Sequence, residues 1–242
     1  MQIVVLCGGK ATRLHPLTKK IPKSMIQIAG KPFLEHQMDL FKKNRIFDIV
    51  LCTGFLGEQI EEYFGDGRKF GVSIKYSREK EALDTGGALK NAKELLEDEF
   101  FIIYGDSYLL IDYQEVYNYF KKFDKMGLMT VYKNYGRLEP SKIILDGNFV
   151  KVFDKEHPNQ PGMIYTEFGL NIFKKEVLDL VDKKAFPIGD YFKKLIEKKE
   201  LLAFETPQRF YEIGRPEGLK EVRKIIEKKN SLLQREGFTK SH

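Results

Sequence analysis

Short apolar runs recur through the first hundred residues, separated by stretches of helical or alternating period. The run Ile3-Val4-Val5-Leu6 predicts a buried strand closed by glycines. Gly30-Lys31-Pro32 predicts a turn with Pro32 starting a helix over 33–45, where Phe33, Leu34, Met38 and Phe41 share one face. Residues 48–53 read as a second strand ended by Gly54, and 57–64 as a short helix stopped by Gly65-Asp66-Gly67. Residues 72–77 alternate as a third strand does, and 85–96 form a helix with Ala88, Leu89, Ala92, Leu95 and Leu96 on one side. Residues 100–104 are apolar throughout, the pattern of a central strand in a parallel sheet, and they end at Gly105-Asp106.

Strands alternating with helices from residue 2 to about 105 predict right-handed βαβ units. Ligands of such sheets bind beyond the carboxyl ends of the strands. The glycines after Leu6, the segment Asp84-Thr85-Gly86-Gly87 and Gly105-Asp106 all fall there, so topology alone brings them to one edge. The second half is richer in strands, at 127–133, 142–145, 149–153, 169–173, 201–205 and 210–213, with Asp146-Gly147 as a hairpin turn. Helices are expected at 176–181, 188–199 and from Pro216 to about 226. The fold class is α/β: a Rossmann-like, mostly parallel central sheet flanked by helices, with a smaller β-rich part. One domain is expected over 1–229, in halves of 1–110 and 111–229, with 230–242 a disordered tail.

Composition narrows the function classes. The 242 residues suffice for one sizeable core, and 42% hydrophobic with 31% charged residues is ordinary for a soluble protein. The start runs straight into a strand without a basic leader, and no apolar run reaches membrane-spanning length, so no membrane partner is expected. Cys7 and Cys52 give no disulfide framework and suit small buried residues in a reducing cytoplasm; the four histidines show no zinc spacing. A net charge of +6 suits phosphorylated substrates. The lysines are interleaved with acids, as Glu197 and Glu200 flank Lys198 and Lys199, which is a solvated surface rather than a nucleic-acid face.

The chemistry concentrates in residues 6–23. Gly8 and Gly9 leave backbone N–H groups open to an anion, and Arg13 and Lys23 add cations, which together suit a polyphosphate. A P-loop is excluded because no second glycine is followed by Lys and Ser or Thr. A dinucleotide fingerprint is excluded by the lack of a third glycine and of an acid ending the second strand, where Cys52-Thr53 stands. The stretch resembles the signature of sugar-phosphate nucleotidyltransferases, Leu-Ala-Gly-Gly-x-Gly-Thr-Arg-Leu, then Pro-Leu-Thr, then Pro-Lys-Pro-Met. Leu6, Gly8, Gly9, Thr12, Arg13, Leu14, Pro16, Leu17, Thr18, Pro22, Lys23 and Met25 match, while Cys7, Ala11 and Ser24 depart.

The resemblance extends to about residue 225 and is nearest to short members without a C-terminal β-helix, such as heptose 1-phosphate guanylyltransferases and N-acetylmuramate 1-phosphate uridylyltransferases. It implies an NTP and a sugar 1-phosphate as substrates, bound in the first and second halves, and NDP-sugar and pyrophosphate as products. A homodimer is compatible with it. It implies nucleotide contacts at Leu6, Gly8, Gly9, Lys10, Thr12, Arg13, Asp84, Thr85 and Gly86, with Arg13, Lys23 and Asp106 catalytic. Asp106 resembles the family's Gly-Asp metal ligand for Mg²⁺, with Tyr104 where Asn is usual; capping of the next turn is its other reading. Glu212, in Tyr211-Glu212-Ile213-Gly214-Arg215-Pro216-Glu217, stands where the second metal ligand is usually Asp. Val152-Phe153-Asp154-Lys155 resembles the Glu-Lys-Pro segment, which implies Lys155 on the sugar phosphate and Asp154, Glu167 and Gly169 at the sugar. Asp84 replaces a family glycine. It reads either as an N-cap receiving Gly86 or Gly87 N–H, or as a carboxylate accepting N1–H and N2–H₂ of guanine, which favours GTP. Two rivals stand beside this reading: a cytidylyl- or uridylyltransferase of the same fold acting on another phosphate or a phosphonate, and a non-catalytic nucleotide sensor.

Overall fold

Side chains along a buried strand alternate between faces, so an apolar strand needs a partner layer on each side. The computed structural model describes residues 1–231 in full and the backbone of 232–239. In β1 (Gln2–Leu6), Val4 and Leu6 pack into one layer while Ile3 and Val5 pack into the other. The chain continues through the ribbon β2 (Gln27–Ile28) and β3 (Lys31–Pro32), then α1 (Phe33–Lys43), β4 (Asp48–Thr53), α2 (Gly57–Phe64) and β5 (Ser73–Arg78). It then forms α3 (Asp84–Asn91), β6 (Glu99–Tyr104), β7 (Ser107–Tyr108), α4 (Tyr113–Phe120) and β8 (Gly127–Lys133). The hairpin β9 (Ile143–Asp146) and β10 (Phe149–Phe153) leads to β11 (Tyr165–Lys174) and α5 (Gly189–Glu197). The last elements are β12 (Leu201–Thr206), β13 (Tyr211–Glu212) and α6 (Pro216–Thr239).

One nine-stranded sheet runs through both halves in the order β5-β4-β1-β6-β11-β8-β12-β10-β9. All its strands run one way except β10 and β11. The apolar strand β6 lies between β1 and β11, as its composition predicts. α3 and α5 cover one face through Ala88, Leu89, Tyr191, Phe192 and Leu195; α1, α2 and α4 cover the other through Met38, Phe41, Ile60, Val116 and Phe120. A third core gathers Leu14, Ile26, Ile28, Tyr108, Ile213, Leu219, Val222 and Ile226, tying the signature loop and the β7–β13 ribbon to α6.

The structure departs from the expectations at several points. Helix α4 was not expected, although Asp112 caps it by accepting Gln114 and Glu115 N–H. Residues 175–179 form a 3-10 turn rather than a helix over 176–181. Residues 210–213 do not join the sheet: Tyr211 and Glu212 pair with Tyr108 and Ser107, and Ile213 is buried in the third core. The last helix does not stop near 226 but runs to Thr239, because no proline or glycine interrupts the sequence between Gly218 and Gly237. Residues 240–242 lie outside the described residues. Among the described residues no helix is long and apolar enough to cross a membrane.

Candidate active site

The register sets the site. Leu6 aligns with Cys52 and Tyr104, and Thr53 aligns with Arg78, so β1, β4, β5 and β6 end at one edge. A crevice of about 730 Å³ opens there, floored by Leu6, Cys7, Gly8 and Cys52 and walled by Lys10, Lys23, Glu79, Asp84, Thr85, Tyr104 and Asp106. The burial that forms this floor pushes the Cys7 thiol up to about 12, with the Glu79 charge adding to it. A Cβ at position 8 would lie 2.5 Å from Glu79 Oε1, which would have to move, and 3.2 Å from Gly54 N. At Gly9 nothing lies within 4 Å of such a Cβ, which leaves that backbone open to a ligand.

Glu79 was not among the expected site residues. It directly follows β5, and its Oε2 accepts the Leu83 N–H at 3.0 Å. Burial, and then the charge of Asp84, push its carboxyl above the ordinary carboxylate range against that hydrogen bond. A sequence signal was present only as an acid one residue past a strand; its place beside Gly8 comes from the pairing of β5 with β4.

Asp84 is exposed, has φ 56°, and opens α3 at the lip of the crevice. The N-cap reading is corrected, because Oδ1 accepts the N–H of Thr85 at 2.6 Å while Gly86 and Gly87 N–H both donate to Phe186 O, at 2.8 and 3.1 Å. Gly86 is not among the residues lining the crevice. Its N–H is used, and a Cβ there would meet the Phe186 ring at 2.5 Å, so this glycine serves packing. Of the loop cations, Lys10 and Lys23 line the crevice; Arg13 and Thr12 lie exposed on the 3-10 turn Thr12–Leu14 and are not among the lining residues.

Lys23, Asp106 and Glu212 meet at one end of the crevice. Lys23 Nζ lies 2.5 Å from Asp106 Oδ2. Asp106 and Glu212 are held by the β7–β13 ribbon, where Glu212 pairs with Ser107 and the Ile213 N–H donates to Asp106 O at 2.9 Å. Asp106 Oδ2 and Glu212 Oε2 lie 3.0 and 3.2 Å from the point where Gly214 would carry a Cβ, so both carboxylates border that glycine. Burial and the Asp106 charge push the Glu212 carboxyl up, and Arg215, at 3.8 Å from Oε1, offsets this in part. Two carboxylates beside Gly214, with Asp106 lining the crevice, are the hard oxygen ligands that suit Mg²⁺, which takes one or two protein carboxylates. The structure thus brings together the two residues expected as metal ligands.

The second half contributes Glu167, whose side chain is 7% exposed, with Lys155 Nζ 3.8 Å from its Oε2. Gly169 sits in the β11 bulge beside Tyr104 and Ser107. Asp154 is placed otherwise than expected: Oδ1 accepts Glu156 and His157 N–H, and Oδ2 faces His157 Nδ1, so it closes its own turn. Tyr104, expected only as a departure from the family's Asn, joins the halves, since its ring lines the crevice and its hydroxyl donates to Glu167 Oε1 at 2.8 Å.

The profile of the family described as nucleotidyl transferase matches residues 2–229. A D-glycero-alpha-D-manno-heptose 1-phosphate guanylyltransferase of Campylobacter jejuni is 33% identical over 220 residues, covering 90% of this chain and 96% of that protein. The bifunctional protein GlmU of Methanococcus maripaludis is 30% identical over 89% of this chain, which spans only 52% of that longer protein. Among solved structures, HddC from Yersinia pseudotuberculosis complexed with GMP-PN superposes with a TM-score of 0.74 at 25% identity, covering 93% of this chain and 99% of that one.

Proposed function

The chain belongs to the nucleotidyl transferase family, and on that footing we propose that it transfers the nucleotidyl group of GTP to a sugar 1-phosphate, giving an NDP-sugar and pyrophosphate. The observation that carries this reading is the meeting of Lys23, Asp106 and Glu212 between the crevice of the first half and the Glu167–Lys155 pair of the second. A phosphate oxygen of the acceptor attacks the α-phosphorus in line, and the bond to the β-phosphate oxygen breaks as pyrophosphate leaves. The attacking oxygen is already anionic, so the step asks for positioning and charge neutralisation rather than a general base. Gly9 N–H and Lys10 receive the triphosphate, with Arg13 reaching it from the exposed turn. Lys23 neutralises charge at the reacting phosphates. Asp106 and Glu212 would hold Mg²⁺, which supplies Lewis-acid stabilisation of phosphoryl oxygens when bound.

The preference for guanine rests on Glu79 more than on Asp84. Oε2 of Glu79 is occupied by Leu83 N–H, while Oε1 has no hydrogen-bond donor among the described residues and sits over Gly8 in the crevice. Guanine brings two donors, N1–H and N2–H₂, to such a carboxylate; the uracil edge brings one, flanked by carbonyl oxygens that the charge repels. The curated relative acting as a heptose 1-phosphate guanylyltransferase and the GMP-PN complex of HddC support the same choice. On the acceptor side, Lys155 meets the sugar phosphate and Glu167 a sugar hydroxyl. Pyrophosphate release from GTP, UTP, CTP, dTTP and ATP, with and without sugar 1-phosphates, tests the reading. GTP with a sugar 1-phosphate gives the fastest release, and release that does not depend on the sugar phosphate overturns it.

A further inference from the structure

Tyr104 is a half-buried side chain at the seam between the two halves. Its ring lines the crevice beside Asp106, and its Cδ2 lies 3.7 Å from where Gly169 would carry a Cβ. Its hydroxyl donates to Glu167 Oε1 at 2.8 Å, and Asn171 Nδ2 donates to the same oxygen at 2.9 Å. Two donors thus hold one oxygen of this carboxylate, leaving Oε2 facing Lys155 Nζ at 3.8 Å. Asn171 is fully buried between β6 and β8, so its donor cannot swing away into solvent. Burial and the Glu167 charge push the Tyr104 hydroxyl well above its ordinary value, so it stays a donor at any working pH.

A glutamate has three rotatable side-chain bonds, and an unanchored one spends most of its time away from any single geometry. We propose that Tyr104 is a positioning residue for the acceptor substrate: by fixing Glu167 Oε1 it presents Oε2, next to Lys155, as a preset acceptor for a hydroxyl of the sugar phosphate. The same ring forms a wall of the nucleotide crevice, so one side chain sets the spacing between the two substrates. In place of the family's Asn, Tyr spans from the crevice wall to Glu167. The inference rests on reading Glu167 as an acceptor contact.

Steady-state kinetics of Tyr104→Phe, Asn171→Leu, Glu167→Gln and the double variant Tyr104→Phe/Glu167→Gln test it. Phe keeps the ring and removes only the hydroxyl. It raises KM for the sugar 1-phosphate about tenfold or more, the worth of a hydrogen bond to a charged group, with KM for the NTP unchanged. Asn171→Leu, which removes the second donor on the same oxygen at similar volume, moves the same constant in the same direction. The double variant is no worse than Glu167→Gln alone, because Tyr104 acts through Glu167. An unchanged acceptor KM in Tyr104→Phe, or an effect that adds in full to that of Glu167→Gln, overturns the inference. No turnover of wild type with any sugar 1-phosphate overturns the functional reading instead, which separates the two failures.

Discussion

Ala11 has φ 49° and ψ 45°, the left-handed region, where the family signature carries glycine. Its carbonyl is fixed there by Thr18 Oγ1 at 2.8 Å and Leu14 N at 3.1 Å. The conformation costs an L-residue roughly 1–2 kcal/mol, and a glycine would give back roughly 0.4–1 kcal/mol through its freer unfolded chain. Ala11→Gly therefore raises the Tm by about 2 °C, measured by calorimetry, with turnover retained. Glu79 offers a second residue-scale test. Its carboxyl is held above the ordinary range by burial, so it loses its charge at a higher pH than a free glutamate does. KM for GTP then rises as pH falls into that window, while KM for UTP does not follow. Glu79→Gln abolishes this pH dependence and raises KM for GTP by about tenfold to a hundredfold. A GTP preference that survives the substitution assigns base reading elsewhere. Glu79 was not legible in the sequence because nothing in its own segment points to a ligand; only the parallel pairing of β5 with β4 sets it over Gly8. Asp84 was legible for the opposite reason, as an acid in a motif of glycines.

At the scale of elements, the carboxylates of Asp106 and Glu212 depend on a ribbon of two short strands that would not hold by itself. Two-residue strands supply few hydrogen bonds, so β7 and β13 owe their placement to the third core, where Ile213 is fully buried among Leu219, Val222 and Ile226 of α6. Ile213→Ala removes a buried side chain at a cost of roughly 2–5 kcal/mol. Binding of Mn²⁺, followed by paramagnetic relaxation, weakens in this variant even under conditions where circular dichroism shows it folded, since the ribbon that sets Asp106 against Glu212 loosens first. Undiminished Mn²⁺ affinity in the folded variant shows that the ribbon stands without that core. The sheet strands of the first half were legible because each is an apolar run or an alternating stretch, and the helices between them have one apolar face. The ribbon was not, since residues 210–213 have strand composition and only the third core draws them away from the sheet. Helix α4 carried its own signal, with Asp112 as cap and Tyr113, Val116, Tyr117 and Phe120 on one face. Its aromatic content disguised it, since aromatic residues are as common in strands.

Across the whole molecule, one sheet runs through both halves, so the distance from Glu79 to Glu167 is set by strand spacing rather than by a hinge. Such a frame suits a reaction in which two anionic substrates must be brought together and their charge offset. Removal of divalent ions with EDTA abolishes turnover, and so does Asp106→Ala, while GTP protection of wild type against thermal unfolding persists only where metal is present. The central claim is direct transfer from the NTP to the acceptor phosphate, and oxygen-18 labelling followed by phosphorus NMR tests it most directly. With GTP and a sugar 1-phosphate labelled in its non-bridging oxygens, the account predicts that all label stays in the NDP-sugar, one label forming the new bridge to the α-phosphorus, with one unlabelled pyrophosphate released per turnover. Label appearing in the pyrophosphate, or pyrophosphate formed without an equal amount of NDP-sugar, would contradict it.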